Sequence, residues 1–178
     1  MNYSESRRLM VERQLKSRGI LDPRVLHAMS QVPREEFVLP ERKDEAYDDC
    51  ALPIDAEQTI SQPYTVAVMC QELRLTGTEK VLEIGTGSGY GAAVLSLLAR
   101  EVFTIERIAR LSERAASTLQ RLGYRNVTCG VGDGSHGWPE HAPFDAIVAT
   151  ASSPALPEPF QQQLAEGGRI LIPIGASR

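Results

Sequence analysis

The chain of 178 residues carries 42% hydrophobic and 24% charged side chains, the composition of an ordinary globular domain large enough for one sizeable core. Its 19 basic and 23 acidic residues leave a net charge of −4, the wrong sign for holding a phosphate backbone by counterion release, which argues against nucleic acid as the main partner. No apolar run reaches membrane-spanning length and the N-terminal MNYSESRRLMVERQ lacks the apolar stretch of a signal peptide, so the expectation is a cytoplasmic protein without a membrane partner.

Cys50, Cys70 and Cys129 are odd in number and far apart, with no CxxC spacing, and read as reduced packing thiols rather than a disulfide framework or zinc site. His27, His136 and His141 lack HExxH spacing, so no metal is expected.

Up to about Leu75 the pattern is helical and loop-like. Residues 5–18 predict an amphipathic helix stopped by Gly19, and Asp22-Pro23 supplies an N-cap and an N1 proline for a second helix. Between Val38 and Thr59, prolines and acids fit an ordered surface excursion or lid whose acids are solvated. Ser61-Gln62-Pro63 then opens a helix with Ser61 in the N-cap place, Tyr64, Val68, Met69 and Leu73 on one face, and Gly77 just past its end.

From Lys80 short apolar strands alternate with amphipathic helices. Strands are predicted at 80–85, 102–106, 126–132, 144–150 and 169–175, with helices at 90–99, 108–122 and 158–165. This alternation predicts an α/β fold, a Rossmann-like, doubly wound, mainly parallel sheet covered on both faces. Residues 1–75 read as a helical extension and 76–178 as the ligand-binding core, together one compact domain.

The chemistry gathers at the end of the first core strand. In Glu83-Ile84-Gly85-Thr86-Gly87-Ser88-Gly89-Tyr90 a strand runs into three alternate glycines and then a helix, so the backbone can turn tightly and a ligand can lie against it near free N–H groups. Glu106 ends the second strand 21 positions after Gly85, close to the spacing at which an acid meets ribose hydroxyls, and Asp133-Gly134 follows the third strand. Gly87, Gly89 and Ala92 also satisfy the dinucleotide pattern G-x-G-x-x-A, but there is no Walker lysine and an acid precedes the loop, which favours a phosphate-poor nucleoside. As a set, the E-x-G-x-G-x-G loop and the two later acids resemble the class I S-adenosylmethionine-dependent methyltransferases.

A more specific likeness lies around this core. Gln58-Thr59-Ile60-Ser61-Gln62-Pro63-Tyr64, then VLEIGTGSGY, IER, GYRNV, GDG, PFDAI and GGRILIPIG, together resemble the protein-L-isoaspartate O-methyltransferase family from about Arg7 to Gly175. The resemblance implies transfer of a methyl group from S-adenosylmethionine, with S-adenosylhomocysteine as product, to the free α-carboxylate of isoaspartyl residues in proteins and peptides. The methyl ester then collapses to a succinimide, which starts repair. It further implies Ser61 as the active-site residue and Gln58, Thr59, Ile60, Ser61, Glu83, Gly85, Thr86, Gly87, Ser88, Gly89, Glu106, Asp133 and Gly134 as cofactor positions. After the fourth strand Ala149-Thr150-Ala151-Ser152-Ser153 takes the place of the N/D-P-P-Y or cysteine motif of base methyltransferases. Its small side chains suit a peptide, so Thr150 and Ala151 join Ser61 as substrate-facing residues.

Two departures stand out. The family usually has G-x-G where this chain has Asp55-Ala56-Glu57, so a loop made for glycine geometry must tolerate side chains and two acids. The family also adds strands beyond GGRILIPIG, so the C-terminal strands are expected to be missing and the 169–175 edge open to self-association. Another methyltransferase substrate class, or an inactive nucleotide-binding module, remain alternative readings of the same core.

Overall fold

The computed structural model describes residues 2–175. Helix α1 (Tyr3–Met10) is capped by the Asn2 side chain, which accepts the Glu5 amide at 3.3 Å, and runs on through a π turn at 11–15 and a 3-10 turn to Gly19 (φ 91°). The predicted 5–18 helix is therefore one continuous helical run that buries Met10, Val11 and Leu15. Helix α2 (Pro23–Gln31) starts as its sequence predicts, with the Asp22 carboxylate accepting the Arg24 amide at 2.8 Å and Val25, Ala28 and Met29 turned inward.

The following excursion is pinned at both polar and apolar positions, and its acids are not simply solvated. Arg34, fully buried, donates to the Ala46 carbonyl at 2.7 Å and lies 4.8 Å from the Tyr90 ring centre. Arg7 reaches across from α1 to Tyr47 at 2.8 Å and Glu35 at 3.0 Å. Asp49 pairs with Arg18 at 3.0 Å and Asp55 pairs with Arg114. A small antiparallel hairpin, β1 (Leu52–Pro53) with β2 (Thr59–Ile60), buries Leu52, Ile54 and Ile60.

Helix α3 (Pro63–Leu73) has Pro63 at its first position, as expected, but its N-cap is Gln62, one residue later than the predicted Ser61. It ends on Arg74 in the left-handed region (φ 49°), three residues before Gly77. Its most buried face is Val66, Ala67, Cys70 and Leu73, so of the predicted set only Leu73 is buried. This helix is apolar on most of its circumference, so periodicity does not select one stripe. Tyr64, Val68 and Met69 instead line an apolar groove of about 310 Å³ with Leu171, Ile172 and Pro173.

The core is a five-stranded parallel sheet in the order β5-β4-β3-β6-β7, built from β3 (Lys80–Ile84), β4 (Glu101–Glu106), β5 (Val127–Val131), β6 (Phe144–Ala149) and β7 (Leu164–Leu171). Helices α4 (Tyr90–Ser96), α5 (Ala109–Arg121) and α6 (Glu158–Gln163) connect them. Period-2 alternation sends Val81 and Val102 into a cluster with α1 to α5, while Leu82, Phe103, Phe144 and Ile147 face α6 and Trp138. β7 starts five residues before the predicted Arg169, because Glu166, Gly167 and Gly168 hide a strand signal, and its register slips between Phe144 and Ala146. Among the described residues β7 pairs only with β6 and forms the sheet edge, where the sequence reading expects it. The strand order reverses around β3, which places a ligand crevice at the carboxyl end of that strand.

Candidate functional site

The loop leaving β3 uses each of its three glycines. Gly85, Gly87 and Gly89 have φ of 94°, 52° and 89°, a region that L side chains enter at a cost of about 1–2 kcal/mol each. Gly85 has a second reason to lack a side chain, since a Cβ there would run into the Thr150 hydroxyl. That hydroxyl donates to the carbonyls of Ile84 and Gly85, both at 3.1 Å, and so ties the end of β6 to the end of β3. Ser88 accepts the Tyr90 amide at 3.2 Å and Gly89 stands at the N-cap of α4.

Glu106 sits at the end of β4, as predicted, and is buried. Its two oxygens accept the amides of Gly87 and Ile108, each at 3.0 Å. A carboxylate oxygen has a further acceptor position, so the same group can hold the loop and receive ligand hydroxyls. Asp133 caps a short turn by accepting the Ser135 amide at 3.0 Å, and this bond holds its carboxyl below the usual range. Gly134 packs so closely on Ile84 that a Cβ would collide with it, which brings Asp133-Gly134 to the ends of β3 and β4.

Glu83 lies beneath the loop at 2% exposure. It accepts from the Thr104 hydroxyl at 2.6 Å, and Thr104 is 2.7 Å from the Thr86 hydroxyl. Burial pushes its carboxyl up to about 8, against the Thr104 bond and with the nearby Glu106 charge.

The hairpin region reaches this rim just after β1. Ile54 and Asp55 share a small concavity with Gly87, Ser88 and Arg114. At the hairpin tip Ala56 and Glu57 have φ of 59° and 58°, the left-handed geometry the sequence departure implies. Gln58 donates to the Ala56 carbonyl at 3.3 Å, Thr59 is exposed and Ile60 is buried. Ser61 is half-buried, and among the described residues its side chain takes part in no hydrogen bond. Its neighbours are fixed instead: Gln62 donates to the Asp49 carboxylate at 2.6 Å, and the Arg18 guanidinium lies 3.7 Å over the Tyr64 ring. Thr150 and Ala151 are both exposed at the end of β6.

Three contributors are absent from the sequence prediction. Thr104 carries no signal beyond being a threonine inside an apolar strand, Arg114 looks like any exposed helix arginine, and the bond from Thr150 to Gly85 joins residues 65 apart. Among the described residues no three His, Cys, Asp or Glu side chains gather as a cation would need, and no helix is long and apolar enough to cross a membrane. The glycine cradle, a buried acid at the ribose spacing and an acid after β5 fit the nucleoside of S-adenosylmethionine.

Known proteins agree with this geometry. Residues 5–178 match the family model described as protein-L-isoaspartate(D-aspartate) O-methyltransferase. The chain is 57% identical over 175 residues to protein-L-isoaspartate O-methyltransferase 1 of Syntrophobacter fumaroxidans, covering 98% of this chain and 82% of that one. A solved protein-L-isoaspartate O-methyltransferase superposes with a TM-score of 0.84 at 36% identity, covering 94% of this chain and 55% of that longer chain. A Plasmodium falciparum structure assigned to the same family, in complex with S-adenosyl-L-homocysteine, superposes with a TM-score of 0.82 at 26% identity, covering 99% of this chain and 86% of that one. A family match over residues 5–178 and 57% identity along nearly the whole chain show that the chain belongs to the protein-L-isoaspartate O-methyltransferases.

Proposed function

We propose that the chain methylates the free α-carboxylate of isoaspartyl residues in proteins and peptides, with S-adenosylmethionine held by Gln58 to Ser61, the 85–89 loop, Glu106 and Asp133-Gly134. The observation that carries this reading is the glycine loop, stapled by Glu106 and tied to β6 by Thr150, together with a Ser61 hydroxyl that takes part in no hydrogen bond among the described residues. S-adenosylmethionine supplies an electrophilic methyl group on a sulfonium centre and leaves as S-adenosylhomocysteine.

The chain's residues need only position and desolvate. An α-carboxylate with a pKa of about 3.5 is already ionised at neutral pH, so no general base is required and the absence of a Ser/His/Asp arrangement among the site residues is consistent. Ser61 donates its hydroxyl proton to one carboxylate oxygen and leaves the other free to attack. Thr150 and Ala151, small and exposed, leave room for the peptide backbone. Correct placement of the two reactants can supply roughly 7–11 kcal/mol of the barrier lowering.

The test is methyl transfer from labelled donor to an isoaspartyl peptide and to its normal aspartyl twin. Label on the first alone supports the reading, and equal label or none overturns it. The outer edge of β7 is the surface through which we expect a second copy to associate at high concentration, and light scattering from a persistent monomer would remove that expectation.

A further inference from the structure

We propose that Thr104 is a positioning residue for the methyl donor, because its buried hydroxyl joins Thr86 of the glycine loop to Glu83 of the strand below. The inference rests on the methyl-donor reading above and adds to it a residue outside the binding rim.

Three polar side chains are stacked under the loop in an otherwise apolar layer. Thr86, Thr104 and Glu83 are 4%, 0% and 2% exposed, so water does not compete for their hydrogen bonds. Thr104 donates to Glu83 Oε2 at 2.6 Å, which uses its single proton and leaves it an acceptor toward Thr86 at 2.7 Å. The chain of bonds is then directed: Thr86 donates to Thr104, and Thr104 donates to Glu83. The other carboxyl oxygen of Glu83 fills the space that Gly91, in the first turn of α4, leaves by lacking a side chain. The loop is held from below at Thr86 and from the side by Glu106 at Gly87.

Consecutive loop residues, Thr86 and Gly87, are thus both tied to β4, and through Thr104 to Glu83 of β3. Losing the central hydroxyl strands two buried polar groups at once, Thr86 above and Glu83 below, and a buried group without its partner is costly. The cheapest relief is for Thr86 to turn toward water, which moves the glycine backbone against which the ligand lies. The consequence falls first on donor affinity and on the Michaelis constant for the donor, while Ser61 and the carboxylate it orients are untouched.

Thr104→Val keeps the branched shape and deletes the hydroxyl, whereas Thr104→Ser keeps the hydroxyl and deletes the methyl. Calorimetric titration with S-adenosylhomocysteine, donor KM, kcat and thermal melts are measured for both and for the wild-type chain. Thr104→Val is expected to weaken S-adenosylhomocysteine and raise donor KM by roughly five- to thirtyfold with kcat changed much less, and Thr104→Ser is expected to restore both. Wild-type values in Thr104→Val, or equal losses in both variants, overturn the inference, the second because packing and not the hydroxyl would then be responsible. If Thr104→Val does not fold, Thr86→Val cuts the same chain at its upper bond and must show the same loss, rescued by Thr86→Ser, or the inference fails. A wild-type chain that binds no S-adenosylhomocysteine overturns the methyl-donor reading itself, a result distinct from unequal or equal losses among variants.

Discussion

Glu106 Oε2 accepts the Gly87 amide at 3.0 Å, so the acid at the end of β4 fixes the shape of the loop at the end of β3 before any ligand arrives. Its other oxygen takes the Ile108 amide at 3.0 Å and so anchors the entry to α5. Glu106→Ala therefore removes a ligand acceptor and two loop acceptors together. Affinity for S-adenosylhomocysteine is expected to fall by about 1.5–3 kcal/mol, the range for hydrogen bonds to a charged group, and the melting temperature to fall with it. Calorimetry on a variant shown to be folded checks this, and unchanged affinity would sink the ribose assignment.

Ser61 and helix stability separate cleanly. Because Gln62 and not Ser61 stands at the N-cap of α3, the Ser61 hydroxyl supplies no cap bond. Ser61→Ala is expected to lower turnover on an isoaspartyl peptide while leaving the denaturation midpoint unchanged. A capping serine would instead lose about 1 kcal/mol of stability on the same change. Reduced stability with intact turnover in that variant is the opposite result and refutes the catalytic role.

Much of this site is legible in the sequence because its signals are local. The glycines of 85–89 read as positive-φ positions since no other residue turns as cheaply, and the family resemblance, which implies glycines at 55 and 57, points to the left-handed backbone found at Ala56 and Glu57. Glu106 follows from strand length plus loop length. What stays hidden depends on partners brought together only by the fold. Asp49 and Asp55 look solvated until Arg18 and Arg114 arrive from other elements. The buried face of α3 is ambiguous because apolar residues surround it, and only the tertiary packing against α2, α4, the π turn and the sheet decides which of them is covered. Thr104 is invisible because a threonine in a strand is ordinary, and its importance comes from Glu83, its register partner on the neighbouring strand β3.

Glu83 makes stability depend on pH in a stated direction. Its folded-state pKa is raised to about 8 by burial, from an ordinary value of 4.5, so the native state holds a proton that the unfolded chain has released. Its contribution is fully present below pH 4.5, declines as pH rises through the window up to about 8, and is lost above it. Glu83→Gln removes the titration while keeping an acceptor for Thr104. Urea midpoints at pH 6 and pH 9 are expected to differ less in Glu83→Gln than in the wild type, with the variant the more stable of the two at pH 9. Parallel pH profiles would show that Glu83 does not titrate in this window.

The hairpin tip makes the last prediction. Ala56 and Glu57 both occupy left-handed backbone, at φ of 59° and 58°, and each side chain there costs about 1–2 kcal/mol that a glycine would not. Glycine gives part of this back through the greater freedom of its unfolded chain, roughly 0.4–1 kcal/mol. The balance for Glu57→Gly is a gain of up to about 1.6 kcal/mol, since Glu57 is exposed and its side chain forms no ion pair among the described residues. Asp55→Gly differs in kind: the backbone at 55 is not left-handed, and the change removes the partner of Arg114. Because that pair is partly exposed, its loss costs at most about 1 kcal/mol and no strain is relieved in return. Urea denaturation therefore orders the three proteins as Glu57→Gly, wild type, Asp55→Gly, from most to least stable. If Glu57→Gly is instead the least stable, the tip is held by its side chain and not strained by it.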